Sequence, residues 1–423
     1  MKKVLGLPAY RRLLAAAILN ELASSIGSVA LALLVYRRTG SAIGATAFFL
    51  SSQFAPALLS PLLVARLDQL SAPRVLAELY ALEGLIFLVL AWLVGRFALV
   101  PILALALIDG ALALTARVLA RAAWTSVTSA AGLFREANAA MNISLSICFM
   151  VGPALGGLAV ALGGTGAALI VNVCIFVVIA LMVATVRGLP RPAPGRAPAL
   201  GRLRAALGHA GGAPAIRRLL GLDAAAVIFF TISIPVEVVF AQHSLHAGAG
   251  GYGVLLATWG AGTIVGSMIY ARWRALPSRQ LITLGTCLLG VGFLVMAVAP
   301  SLEIAVAGAV IAGMGNGIQV VAVRTALQEA TTEPWMALTL SLNDSISQAA
   351  LGAGIVLGGG IAALAGPRAA FAAGAAGSLV VALATWAKLR PADTRLESSE
   401  TGSMLQSGVA ETQSALTAGM RRP

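Results

Sequence analysis

The chain has 423 residues, of which 59% are hydrophobic and only 11% charged. Soluble domains carry about 25% charged residues, so this composition excludes a soluble globular protein. The formal net charge of +13 invites a nucleic-acid reading, but the basic residues are sorted by position, as a membrane topology requires, so no nucleic-acid partner is expected.

A membrane-crossing helix needs about 20 mostly apolar residues. Such runs are predicted at 13–36, 43–65, 75–95, 99–120, 140–162 and 167–186. After a polar gap they resume at 218–241, 252–271, 280–299, 302–324, 336–361 and 369–387. The runs are continuous and rich in Ala, Leu and Gly, whereas a transmembrane barrel needs alternating segments of about ten residues. The prediction is an all-α membrane protein of twelve transmembrane helices. Of the 29 Lys and Arg, only Arg37, Arg38, Arg96 and Arg368 fall on one side of this arrangement. The positive-inside bias then puts both termini and the central loop in the cytoplasm, with anionic lipid headgroups as a secondary contact. The opening "MKK" resembles a signal peptide. The apolar run behind it is too long for one and holds Glu21, so an uncleaved first span is expected.

In the first span, "ILNELASSIGSV" sets Asn20 beside Glu21. A charge at the bilayer centre costs roughly 2.5–3.5 kcal/mol on insertion scales, so an acid there needs a partner or a role. Ser24, Ser25 and Ser28 extend one helical face from Glu21, which reads as a cavity-lining stripe or as an interhelical hydrogen-bonding strip. Asp109 in the fourth span heads the row Asp109, Ala113, Arg117, Arg121. It is either a proton or cation site or the partner of a polar group on a neighbour. Asp344, in "LSLNDSISQ", is the third deep acid. A carboxyl in a cavity that opens alternately to each side can load and release a proton, so Glu21, Asp109 and Asp344 are the proton-coupling candidates.

Asn20, Ser24, Ser28, Asn316, Gln319 and Asn343 are candidate polar lining of a substrate cavity, with Phe230 and Trp259 as candidate apolar lining. An aromatic content of 6% with few mid-membrane amides suits a lipophilic ligand better than a sugar. Asp223 and Glu237 are read as interface acids solvated at the ends of the seventh span, and Glu78 and Glu83 receive no role. Cys148, Cys174 and Cys287 read as packing residues, and no metal site is assigned to His243 and His246. Neither a phosphate-cradling loop nor a Ser/His/Asp arrangement occurs, so no enzyme and no cofactor is expected.

The break "RGLPRPAPGRAPALGRLRAALGHAGGAPAIRR" holds seven Arg and no acid, and reads as a cytoplasmic linker. The organisation is a first six-helix bundle over 1–186, the linker at 187–217, a second bundle over 218–388, and a disordered tail over 389–423. "YRRLLAAAIL" from Tyr10 matches "IRRLLGLDAA" from Ile216, "ARLDQL" at Ala65 faces "ARWRAL" at Ala271, Arg121 pairs with Arg324, and "GGLAVAL" at Gly156 echoes "GGIAALA" at Gly359. These matches lie at nearly one offset. They imply two pseudo-symmetric bundles with a substrate site between them.

The loop "VARLDQLSAPRV" resembles the signature between helices 2 and 3 of the major facilitator superfamily, with Asp68 on its acid and Arg74 on its last Arg; Val64 and Gln69 depart from it. "VGPALGG" in the fifth span resembles the Gly-Pro half of an antiporter motif, through Gly152, Pro153, Gly156 and Gly157. "ARAAW…FREANA" and "VRTALQEA" resemble the bacterial drug:proton antiporter and macrolide-efflux-like branch. The Arg that many such antiporters carry in helix 4 is replaced by Ala106. The resemblance implies a monomeric, multi-pass secondary transporter of the bacterial inner membrane. Such a protein works by alternating access and exports a drug, natural product or siderophore-like metabolite in exchange for protons. It also implies a conformational gate at Asp68, Arg74, Gly152, Pro153, Gly156 and Gly157. An uptake carrier of the same fold, and a sensor or scaffold that transports nothing, are the competing expectations.

Overall fold

A computed structural model describes residues 2–67, 72–186, 212–273, 275–331 and 335–389. After a short helix Lys2–Leu5, α1 spans Pro8–Thr39. Helix α2 runs through Ala42–Phe49, a π-helical turn Leu50–Phe54, and Ala55–Leu67. Helices α3 and α4 are Ala72–Leu93 and Leu99–Ala130. Next comes Phe134–Ala184, a run of 51 residues. In the second half, α7 joins Pro214–Thr231, Ser233–Val239 and a π-helical turn Phe240–Ser244. Helices α8 to α12 are Gly248–Trp273, Ser278–Val298, Leu302–Glu329, Met336–Ala365 and Pro367–Lys388.

Eleven of the described helices are long and apolar enough to cross a membrane. The longest of these spans, Glu136–Ala184, has 49 residues. At about 1.5 Å per residue that is more than twice a hydrocarbon core of roughly 30 Å. It is broken at Gly164, where φ is 75° and ψ 173°, so it supplies two crossings, α5 before the break and α6 after it. Among the described residues the helices of crossing length are therefore twelve. Gly366 turns the chain from α11 into α12 with nearly the same angles, φ 86° and ψ 167°. This backbone region is open essentially to glycine alone, and the two turns occupy equivalent places in the two halves. Several helices outrun the apolar segments that predict them, because backbone hydrogen bonding continues past the polar residues at their ends. Thus α4 continues to Ala130 and α7 starts at Pro214.

Lipid tails are as apolar as leucine, so helices here associate through close packing of small residues. A Cβ on Gly313 would strike the Trp259 carbonyl oxygen and one on Gly317 the Thr263 carbonyl oxygen, which brings α10 against α8. Three buried clusters make the core among the described residues. One joins both halves, from Ala30–Val35 and Phe48 to Val236, Phe240 and Phe371. The other two stay within one half each: Tyr10, Leu13, Trp124 and Met141 in the first, Ile216, Leu281, Ala322 and Leu327 in the second. The halves are thus sealed at the end holding Gly40 and Gly366. They have separate cores at the end holding Pro8 and Lys388.

Candidate functional site

Glu21 stands in the middle of α1, its side chain 19% exposed. Arg117 of α4 donates from Nη2 to Glu21 Oε2 at 3.1 Å. Arg117 counts with the basic side on sequence alone, and the structure moves it to the level of Glu21. The available signal was its place two turns beyond Asp109 on the same face of α4: a mid-membrane Glu calls for a mid-membrane cation. Asp109 is half-buried, and its buried Oδ1 has no partner among the described residues. Glu83 of α3, to which the sequence gives no role, is wholly buried, and neither carboxyl oxygen is hydrogen-bonded among the described residues. Asn20 is buried with an Oδ1 that has no partner among the described residues, while Ser24 and Ser28 are half-buried along the same helix.

In the second half the acid at the centre is Asp223. Gln319 Nε2 donates to its Oδ1 at 3.1 Å and Ser347 Oγ to its Oδ2 at 3.2 Å. Asn343 is a further side-chain hydrogen-bonding neighbour of this carboxyl. The expectation of an interface-solvated Asp223 is corrected: it is 7% exposed, because α7 begins at Pro214 and carries it more than two turns inside. Glu237 is buried as well, against the same expectation. Asp344, expected among the deep acids, is exposed, and Asp223 takes the central place on that side. Asn316 lies buried on α10. Beside Asp223 is a cavity of about 10 Å³ bordered by Thr286, Gln319, Val323 and Thr385, room for about one water.

The halves meet through α5 and α8. Added Cβ atoms show how closely: one on Gly157 would lie 2.8 Å from Ala249 O and 2.9 Å from Gly253 Cα. One on Gly260 would lie 3.1 Å from Met150 Cα. At the inner limit of this seam Trp259 stacks on Phe230, with ring centroids 5.4 Å apart at 12°, and meets Phe149 edge-on at 5.5 Å. Trp259 Nε1 is buried without a partner among the described residues. Phe230 and Trp259 are anticipated from sequence. Phe149, from the other half, is not, since only the fold brings α5 to them. Gly152 and Gly156 seat α5 on Ser25 and Ile26 of α1, and the Pro153 carbonyl faces Gly253. Arg74 is exposed and pairs with Glu78 at 3.1 Å; Asp68 lies outside the described residues. Across the other seam, Phe54 of α2 sits over Gly352 of α11.

A family model described as Major Facilitator Superfamily matches residues 219–420. No curated protein sequence matches the chain. Among solved structures, the nucleoside transporter NupG is similar at 14% identity and a TM-score of 0.72, covering 91% of this chain and 100% of its own. A bacterial homologue of the iron transporter ferroportin, in an inward-facing state, is similar at 12% identity and a TM-score of 0.70, covering 90% of this chain and 99% of its own. A bacterial homologue of the human lysosomal transporter Spinster, also inward-facing, matches at 14% identity and a TM-score of 0.68, covering 92% and 97%. At these identities the likeness speaks for the fold. Together, the family model over just under half of the chain and the structural likeness over nearly all of it support the major facilitator fold.

Proposed function

We propose that the chain is a proton-driven exporter of a lipophilic small molecule in the bacterial inner membrane, with both termini cytoplasmic. The observation that carries the substrate class is the aromatic group Phe149, Phe230 and Trp259. It lies where the two halves touch, with the Trp259 indole N–H unpartnered among the described residues. Stacked and edge-on rings offer a ligand apolar surface and aromatic geometry, and the single donor fixes its orientation. With cytoplasmic termini, the arrangement is the inward-facing one, ready to take substrate from the cytoplasm or the inner leaflet. Exchange of the sealed and open ends then delivers it outside.

Glu21 supports the proton part of this reading. A proton on Glu21 removes the negative charge that holds Arg117, so proton loading and the α1–α4 contact are linked. Asp109 and Asp344 are the remaining coupling candidates, and Asp223 joins them on its burial. Gly152, Pro153, Gly156 and Gly157 serve as packing surfaces of the moving seam, and Arg74 as part of the cytoplasmic gate with Asp68.

Everted membrane vesicles given a lipophilic fluorescent dye test the direction. An exporter accumulates dye in them when the lumen is acid, and Trp259→Ala lowers that accumulation more than Trp259→Phe. Accumulation confined to right-side-out vesicles would instead mean uptake.

A further inference from the structure

Asp223 is a buried acid held by neutral groups alone. Among the described residues the ion pairs are Arg74 with Glu78 and Arg117 with Glu21. Asp223 instead accepts from Gln319 Nε2 at 3.1 Å on Oδ1 and from Ser347 Oγ at 3.2 Å on Oδ2. Both oxygens accept, which is the pattern of a carboxylate. In the first half, Glu21 meets the Arg117 guanidinium at 3.1 Å. The second half thus sets an amide where the first sets a positive charge. A carboxylate taken out of water is costly unless an opposite charge meets it.

The cavity beside Asp223 is bordered by oxygen-bearing side chains from three further helices: Thr286 of α9, Gln319 of α10 and Thr385 of α12. All three are buried. Thr286 Oγ1 donates to Ile282 O and Thr385 Oγ1 to Val381 O, each at 2.8 Å. With their protons engaged on their own helices, these hydroxyls have only lone pairs left to offer. Asn343 lies one turn before Ser347 on α11, on the same helix face, and its buried Oδ1 has no partner among the described residues. A volume of about 10 Å³ takes one water-sized particle, so an ion enters it without its hydration shell. One carboxylate among neutral oxygens balances a single positive charge, whereas calcium draws on several carboxylates and magnesium keeps its waters. We propose that Asp223, Thr286 and Thr385 bind one sodium-sized monovalent cation where α7, α9 and α12 meet. Rotation of the Gln319 amide exchanges its Nε2 on the carboxylate for Oε1 on the ion. The cation fills the electrostatic place that Arg117 holds in the first half. Its use in coupling rests on the transport reading above; the site itself does not.

The test is thermal unfolding of the full chain in detergent, at fixed pH and ionic strength, as choline chloride is replaced by sodium or potassium chloride. The unfolding temperature of wild type is expected to rise with sodium and saturate, with a smaller rise in potassium. Asp223→Asn should unfold near wild type in choline and lose the sodium response. Thr385→Val keeps the shape and removes one ligand, so half-saturation should need about tenfold more sodium. A merely structural hydroxyl would leave that concentration unmoved. No sodium response in wild type, an equal response to potassium, or a response retained by Asp223→Asn overturns the site. Where Asp223→Asn does not fold, Thr385→Val decides, and an unmoved half-saturation overturns the site. Everted vesicles separate the site from its use. A sodium response in detergent, with dye accumulation indifferent to sodium, upholds the site and removes it from coupling. Dye accumulation by wild type with no sodium response in detergent keeps the export reading and overturns the site.

Discussion

Arg117 donates to Glu21 across α4 and α1, and Gln319 donates to Asp223 across α10 and α7 with the same 3.1 Å and the same separation of 96 residues. Each half therefore binds an acid of its first helix to a donor of its fourth, and the duplication extends from helices to a specific polar contact. The two copies differ in charge: one donor is a cation, the other a neutral amide. They differ in exposure too, since Arg117 is 54% exposed whereas Asp223 is buried.

That difference predicts separate phenotypes. Asp223→Ala strands a buried amide and the Ser347 hydroxyl, at a cost of about 1–3 kcal/mol, whereas Asp223→Asn keeps the volume and one acceptor. Thermal unfolding in detergent is expected to fall for Asp223→Ala and stay near wild type for Asp223→Asn. Arg117→Ala removes a solvent-reachable pair, worth about 0–1 kcal/mol. It is expected to leave unfolding nearly unchanged while dye export drops.

The α5–α8 seam is expected to respond to volume. Gly157→Leu places a side chain where Gly253 Cα already lies 2.9 Å from an added Cβ. Overpacking costs roughly 1–3 kcal/mol. At about 1.4 kcal/mol per tenfold this moves the ratio of sealed to opened seam by roughly 5- to 150-fold toward opened. Labelling of cysteines introduced near Gly40 and Gly366 reports the change as faster modification.

The two glycine turns are expected to be sensitive through backbone alone. Nothing lies within 4 Å of a Cβ added at Gly164 or Gly366, yet φ there is 75° and 86°. Gly164→Ala and Gly366→Ala should each cost of the order of 1–3 kcal/mol, read as lower folded yield. Gly360→Ala is the control: it sits within α11, also meets nothing within 4 Å, and has no such angle. Alanine there should be neutral or stabilising by about 0.5–1 kcal/mol.

Much of this architecture is legible in the sequence, because apolar runs of membrane length need no tertiary information to read. The long apolar helices and the place of Glu21 in the middle of α1 follow from one-dimensional patterning. What the sequence hides is pairing. Arg117 resembles a helix-end arginine until α1 lies beside α4, and Phe149 resembles a lipid-facing ring until α5 meets α8. Asp223 is misplaced for a different reason. Depth was read from apolar runs, and α7 starts before its run does. Glu83 sits on a helix whose other acid, Glu78, is exposed and paired with Arg74, so neighbours in sequence occupy opposite environments.

The central claim is that an acid of the first helix couples proton flow to export. It is tested most directly by dye accumulation in everted vesicles with an acid lumen, comparing wild type with Glu21→Gln. Glutamine keeps the shape and can still accept from Arg117, but it cannot carry a proton through the cycle. Wild type should accumulate dye and lose it when the pH gradient is collapsed, while Glu21→Gln, folded and inserted to the same level, should not respond to the gradient. Gradient-driven accumulation by Glu21→Gln equal to wild type would contradict the account.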